Sequence, residues 1–206
     1  MAYVLNGTSQ YLSVASAPAT AAPITIVAFA RPTSGAADCV LMQIGQASTN
    51  NRFVLYISSG RASGAQINDA SSSTARATTD TTANGAWRHC GAVFTSALIE
   101  PFHNGASGGT LIHSRVPSGV DRLAIGARTT NDLFVPGEVA EAAIWTAALT
   151  VAEMESLAAG FKPFRVRPQS LVFYAPLIRA AQDLRGGLAL TENNGPTVAN
   201  NPRVYG

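Results

Sequence analysis

Short runs of strand-forming residues, each closed by a turn signal, recur along most of this chain. Tyr3-Val4-Leu5 precedes Asn6-Gly7, and Gln10-Tyr11-Leu12-Ser13-Val14 follows it. Asn-Gly between two such runs predicts a tight hairpin. The run 24–31 is apolar and β-branched and stops at Pro32, with Gly35 beyond it. Runs 39–44 and 52–57 predict two further strands. The stretch 61–82 is rich in Ser and Thr and reads as exposed strands with polar outer faces rather than as a binding loop. In the run 87–94, Trp87, His89, Gly91 and Val93 share one face and Arg88, Cys90, Ala92 and Phe94 the other. A second hairpin is predicted at Asn104-Gly105, and runs 122–126 and 139–145 complete a series that suggests an all-β sandwich.

One helix breaks the strand pattern. Thr150 and Glu153 have the spacing of a capping box, in which each side chain satisfies an amide of the other's turn. Val151, Met154, Leu157 and Ala158 fall on one face, and Gly160 supplies a left-handed stop. Beyond it, 170–177 reads as a strand, while Asn193-Asn194-Gly195-Pro196 and Asn200-Asn201-Pro202 are turn chemistry. A sandwich domain over 1–160 and an extension over 161–206, packed on it or on a neighbouring subunit, are therefore expected.

Composition sharpens this picture. Only 13% of the 206 residues are charged, against a norm of about 25%, and Lys162 is the sole lysine. A disordered chain or a coiled coil would be far more charged. A formal charge of +2 is not the basic excess of a nucleic-acid binder. That small total hides a polarity: residues 161–206 carry six basic and two acidic side chains, and the first 160 carry eight and ten. No apolar run approaches the roughly 18 residues of a membrane span, so no membrane partner is expected. The N-terminal residues lack the pattern of a signal peptide, so the protein is expected to start in a reducing compartment, with Cys39 and Cys90 as buried thiols.

The order of elements resembles the laminin-G-like domains of the concanavalin A-like lectin/glucanase superfamily. The resemblance rests on residues 3–14, on Ile24 to Pro32, on Asn84-Gly85-Ala86-Trp87-Arg88-His89, on Phe102-His103-Asn104-Gly105, and on Pro136 to Trp145 with Ala148-Leu149-Thr150. It covers about residues 1–160 and implies a jelly-roll sandwich of two antiparallel sheets with one short helix. The tail, through Arg167-Pro168, residues 171–178 and Asn201 to Tyr205, is similar to phage- and prophage-encoded members. That similarity implies a virion protein assembled in the host cytoplasm.

The resemblance implies three possible chemistries, which the residues support unequally. The superfamily's glucanases carry Glu-x-Asp-x-x-Glu on one strand, and nothing here matches it. Glu138 and Glu141, at odd spacing, point to opposite faces of a regular strand, so they read as a loop-end and a half-buried structural glutamate. No catalytic residue is assigned. Calcium needs six to eight oxygens, whereas Asp38, Asp69, Asp80, Asp121 and Asp132 are scattered singly. No cofactor is expected, with weak calcium binding through carbonyls and asparagines left open. Glycan binding would draw on Asn51, Arg52, Arg128, Asn131 and Asp132, with Tyr56 and Phe134 as unplaced aromatics. Trp87 and Trp145 read as core anchors and His89 as a hydrogen-bonded structural histidine.

The first expectation is thus a non-enzymatic, homo-oligomeric virion component: capsid decoration, fibre or baseplate. Its partner contacts would come from Lys162, Arg165, Arg167, Arg203 and Tyr205 in the basic tail, because arginine makes planar bidentate contacts. The competing expectation is a carbohydrate-binding module that recognises a host surface glycan.

Overall fold

Strands that alternate apolar and polar positions bury one face only if a second layer covers it. In the computed structural model, which describes residues 2–33, 38–47, 50–58, 62–78, 85–178, 180–200 and 202, two antiparallel sheets cover each other. The strands are, in chain order, β1 (Ala2–Asn6), β2 (Tyr11–Val14), β3 (Ile24–Pro32), β4 (Cys39–Gly45), β5 (Arg52–Ser58) and β6 (Ala62–Asn68). Next come β7 (Ser73–Ala77), β8 (Arg88–Phe94), β9 (Leu98–His103), β10 (Ala106–Ser107), β11 (Leu111–Ile112), β12 (Arg122–Ile125) and β13 (Pro136–Trp145). The helix α1 (Val151–Ala158) follows, then β14 (Leu171–Ala175), β15 (Thr191–Asn193) and β16 (Thr197–Ala199).

The first sheet runs β10-β9-β8-β3-β13-β1-β16, with β11 beside β9 and β14 beside β13; the second runs β15-β2-β12-β4-β5-β6-β7. Between them lies one apolar cluster. Ile24, Ile26, Cys90, Ala92, Phe94, Val139 and Ile144 point in from the first sheet, and Met42, Ile44, Phe53, Leu55, Ile67 and Leu123 from the second. Phe53 and Phe94 meet edge to face, centroids 5.4 Å apart. Of the faces predicted for 87–94, that of Arg88 and Cys90 is therefore the inner one. Cys39 and Cys90 are buried thiols that form no disulfide, and burial, with Cys90 nearby, pushes the Cys39 thiol up to about 12.

The helix covers part of the outer face of the first sheet. Met154 and Leu157 pack on Val27, Val93, Phe102 and the fully buried Trp145, whose Nε1 donates to the Val166 carbonyl at 2.9 Å. The Thr150–Glu153 capping box is present, and Gly160 closes the helix at φ +96°. Val151, expected on the packed face, is exposed, so Met154 and Leu157 alone of that face are buried.

The two Asn-Gly pairs behave differently. Asn104 and Gly105, at φ +48° and +85°, make the predicted two-residue hairpin, with His103 opposite Ala106. Asn6-Gly7 does not. β1 pairs with β13 and β16 in the first sheet, and β2 with β12 and β15 in the second, so this turn carries the chain across the sandwich. Asn6 Oδ1 accepts from the amides of Thr8, Ser9 and Gln10, and that Asx cluster bends the chain away from a hairpin path. The turn at 194–196 makes the reverse crossing, and the two are laced by Gln10 Nε2 to the Asn194 and Gly195 carbonyls. Within the Ser/Thr-rich stretch, β7 is an edge strand with exposed Ser73 and Ala75, whereas β6, expected to be exposed, is flanked by β5 and β7 and mostly buried, with Ala65 and Ile67 in the core.

Candidate functional site

The outer face of the second sheet is crossed by a loop, residues 126–135, that connects β12 to β13. Backbone bonds tie it down: Gly126 N donates to Leu41 O and Val40 N to Leu133 O, both at 2.9 Å. Side chains finish the attachment. Gln43 Nε2 donates to Thr129 Oγ1 at 2.6 Å, and that hydroxyl donates to the Gln46 carbonyl at 2.6 Å. Arg128 reaches Asp132 at 3.2 Å inside the loop. Asn131 and Leu133 sit at φ +60° and +50°. Asparagine tolerates that region, whereas a leucine there is strained and is held only by surrounding bonds, a pattern common at binding surfaces.

The loop divides the face into two hollows. The larger, about 300 Å³, lies over β2 and β12. Strand alternation places Tyr11, Ser13 and Arg122 on this outer side while Leu12 and Leu123 enter the core. The loop contributes Thr130 and the exposed Asn131 as the opposite wall. Tyr11 is braced by Phe134, ring centroids 6.0 Å apart. Arg122 pairs with the exposed Asp121 at 2.9 Å, and this neighbour holds the Asp121 carboxyl below its usual range. An aromatic ring, a guanidinium, an amide and hydroxyls thus converge on a recess that fits a small polar ligand.

The smaller hollow, about 140 Å³, lies beyond the loop, with Tyr56 and Gln66 from β5 and β6 and Arg128 from the loop. Burial, then the charge of Asp38, raises the Tyr56 phenol above its ordinary range, so it stays a neutral donor.

The residues proposed from sequence for glycan contact divide accordingly. Asn131 lines the larger hollow and Arg128 the smaller. Asp132 supports the loop, accepting from Arg128 and from Thr130 Oγ1 at 2.6 Å. Arg52 is buried; that burial, and then the Arg128 charge, hold its guanidinium below the usual range, with Asp132 opposing. Asn51 is also buried, and its Oδ1 accepts from the Ser118 amide at 3.0 Å, so both serve the scaffold rather than the rim. Tyr11, Ser13 and Arg122 were not among the residues proposed from sequence. The alternation of 10–14 marked Tyr11 and Ser13 as sharing a face, but not that a distant loop would wall it.

In the tail, Arg167 turns inward: Nε and Nη2 bind the two Glu153 oxygens at 2.8 and 2.7 Å, and Nη1 the Ala148 carbonyl at 3.0 Å. Arg165 is exposed and Lys162 half-buried beside it, while Arg203 and Tyr205 lie outside the described residues.

The acidic pair on β13 departs from expectation. A bulge between Ala140 and Ala143, with Glu141 at φ +52°, removes the alternation. Glu138 is buried in a bidentate pair with Arg31, and Glu141 is buried with the Tyr174 hydroxyl at 2.5 Å. Neither is the loop-end or half-buried group expected. Trp87 is half-buried beneath the Arg31 guanidinium, 5.4 Å from its centroid, rather than a core anchor. His89 is buried with no hydrogen bond to either ring nitrogen. Among the described residues no three His, Cys, Asp or Glu side chains converge as a metal cluster requires, and Asp69, Asp121 and Asp132 each face an arginine.

Solved structures share this architecture. A heptameric SAP-like pentraxin from Limulus polyphemus matches 97% of this chain and 94% of its own, at TM-score 0.70 and 15% identity. A carbohydrate-binding protein described as putative, from Bacteroides ovatus, matches 98% of this chain and 60% of its own, at TM-score 0.69 and 16% identity. The CBM40 domain of a Ruminococcus gnavus IT-sialidase, bound to α2,3-sialyllactose, matches 77% and 98%, at TM-score 0.62 and 16% identity. Comparison with curated protein sequences finds no match. At the level of sequence, the laminin-G type profile of one superfamily matches residues 6–155, most of the chain. With its two-sheet sandwich and single short helix, the chain belongs to the concanavalin A-like lectin/glucanases superfamily.

Proposed function

We propose that this protein is a non-catalytic saccharide-binding module, and that the hollow between Tyr11 and Asn131 is its sugar site. The observation that carries the reading is the composition of that hollow: a braced aromatic ring, an amide, hydroxyls and the Arg122 guanidinium, on a rigid sheet. Such a recess covers the C–H face of a sugar and offers its hydroxyls donors and acceptors. Structural neighbours described as carbohydrate-binding or sialyllactose-bound are in keeping with it. The engagement of Glu138 with Arg31 and of Glu141 with Tyr174 favours binding over hydrolysis. Recognition without calcium is part of the proposal.

The module is proposed to be carried on a bacteriophage particle, as a capsid decoration, fibre or baseplate subunit assembled as a homo-oligomer. Support comes from the tail's similarity to phage-encoded members and from its exposed Phe161, Phe164 and Leu184 near Lys162 and Arg165. A glycan array probed with the purified protein, with and without a calcium chelator, tests the binding reading. Reproducible, chelator-resistant binding to a defined set of glycans is expected; an empty array overturns it.

A further inference from the structure

The ring of Tyr56 lies flat on the second sheet. Its cross-strand partner is Gly64, and a Cβ at Gly64 would collide with Cζ and both Cε atoms, which stand almost equally far from it. Equal distances to these three atoms mean that the ring turns its face, not its edge, to the sheet. Only glycine permits that approach, so the absent side chain and the flat ring belong together. One face of the ring is covered by backbone and the other floors the 140 Å³ hollow.

The walls of this hollow are polar and of both signs. Arg128 comes from the crossing loop, Asp38 from the start of β4 and Gln66 from β6, while Ala75 on β7 leaves the far side open. Asp38 also accepts from Ser58 Oγ at 3.2 Å, which orients it. A flat aromatic floor favours any ligand with a flat face. The carboxylate beside the guanidinium then opposes a nucleotide phosphate, and the polar rim opposes an aliphatic chain. A pyranose meets all three conditions: its C–H face stacks on the ring, and its edge hydroxyls donate to Asp38 and accept from Arg128 and Gln66.

We propose that the Tyr56 hollow is a second saccharide subsite, and that with the hollow across the loop it selects a linear oligosaccharide over a single sugar. The inference rests on the saccharide-binding reading above. The test is an array of oligosaccharides graded in length from monosaccharides upward, probed with the wild type, Tyr56→Ala, Tyr56→Phe and Ala75→Phe, each checked by thermal melting. The wild type is expected to bind longer chains about 5- to 20-fold more tightly than monosaccharides, as one added stacked sugar would give. Tyr56→Phe keeps this preference. Tyr56→Ala and Ala75→Phe abolish it and leave monosaccharide binding in place. Ala75 is exposed, so Ala75→Phe fills the hollow without touching the core and carries the test alone should Tyr56→Ala not fold. Wild-type length preference in folded Ala75→Phe, or no length preference in the wild type, overturns the subsite alone. A wild type that binds no saccharide overturns the reading beneath it as well.

Discussion

His89 shows how a single side chain records its surroundings. It sits on β8 under Asn104, edge-on to Phe29 at 5.4 Å between centroids, and its amide rather than its ring is hydrogen-bonded there. Burial, and then the charge of His103, lower its pKa to about 3. Unfolded, the imidazole would titrate near the ordinary 6.5. Below that pH the unfolded chain takes up a proton that the folded one refuses. Stability that is full above about 6.5 is therefore lost as the pH falls towards 3, by several kcal/mol in order of magnitude. His89→Leu should lose distinctly less melting temperature than the wild type between neutral pH and pH ~4. Equal losses would show that the imidazole does not carry this dependence. The sequence placed His89 beside Trp87 on an alternating face but could not show that no partner would reach it. Glu138 and Glu141 were opaque for a related reason: one bulge residue at positive φ overrode their spacing, and no local signal marks it.

At the scale of elements, strong local chemistry was legible and long-range pairing was not. The capping box at Thr150 and the Asn104-Gly105 hairpin depend on residues within one turn, and both formed as read. The partners of β1 and β2 depend on strands more than a hundred residues away, so Asn6-Gly7 could not announce a crossing between sheets. The helix has a second fastening. Burial alone would raise the Glu153 carboxyl, but the Thr150 amide and the Arg167 guanidinium outweigh it and hold it below its usual range. Thr150→Ala should destabilise the protein by about 1 kcal/mol, as loss of an N-cap does. Arg167→Ala should also lower the melting temperature, and in Thr150→Ala/Arg167→Ala the two effects should fall short of additive, because both act through Glu153. Strict additivity in a denaturation series would contradict the shared fastening.

The tail is a further matter of elements. Phe173, Ala175 and Leu177 enter the core between the sheets, Leu171 and Tyr174 the one beneath the helix, and β14 pairs with β13 from Ala142 to Trp145. A chain ending at Gly160 would uncover both clusters. It should fail to give a cooperative thermal transition, whereas a folded, soluble 1–160 fragment would show that the tail is dispensable to the sandwich. The basic character of residues 161–206 was plain in the composition; that its strands are woven into both sheets was not, because short polar runs such as 191–193 carry no strand signal.

Over the whole molecule, the two outer faces differ. The first sheet's is partly covered by α1 and engages its acidic side chains, Glu138 with the half-buried Arg31 and Glu141 with the Tyr174 hydroxyl. The second sheet's is crossed, among the described residues, by the strapped loop, and the polar hollows lie on it. The scarcity of charge noted in the sequence is consistent with this division: few side chains compete with a neutral, hydroxyl-rich ligand for the groups at Tyr11, Arg122 and Asn131. The most direct measurement is isothermal titration of an array-selected glycan into the wild type and into Asn131→Ala and Arg122→Ala, both outside the core. Saturable one-to-one binding, weakened about tenfold or more by either substitution with the melting temperature unchanged, is the predicted result. Binding that neither substitution alters would contradict the assignment of this face as the sugar site.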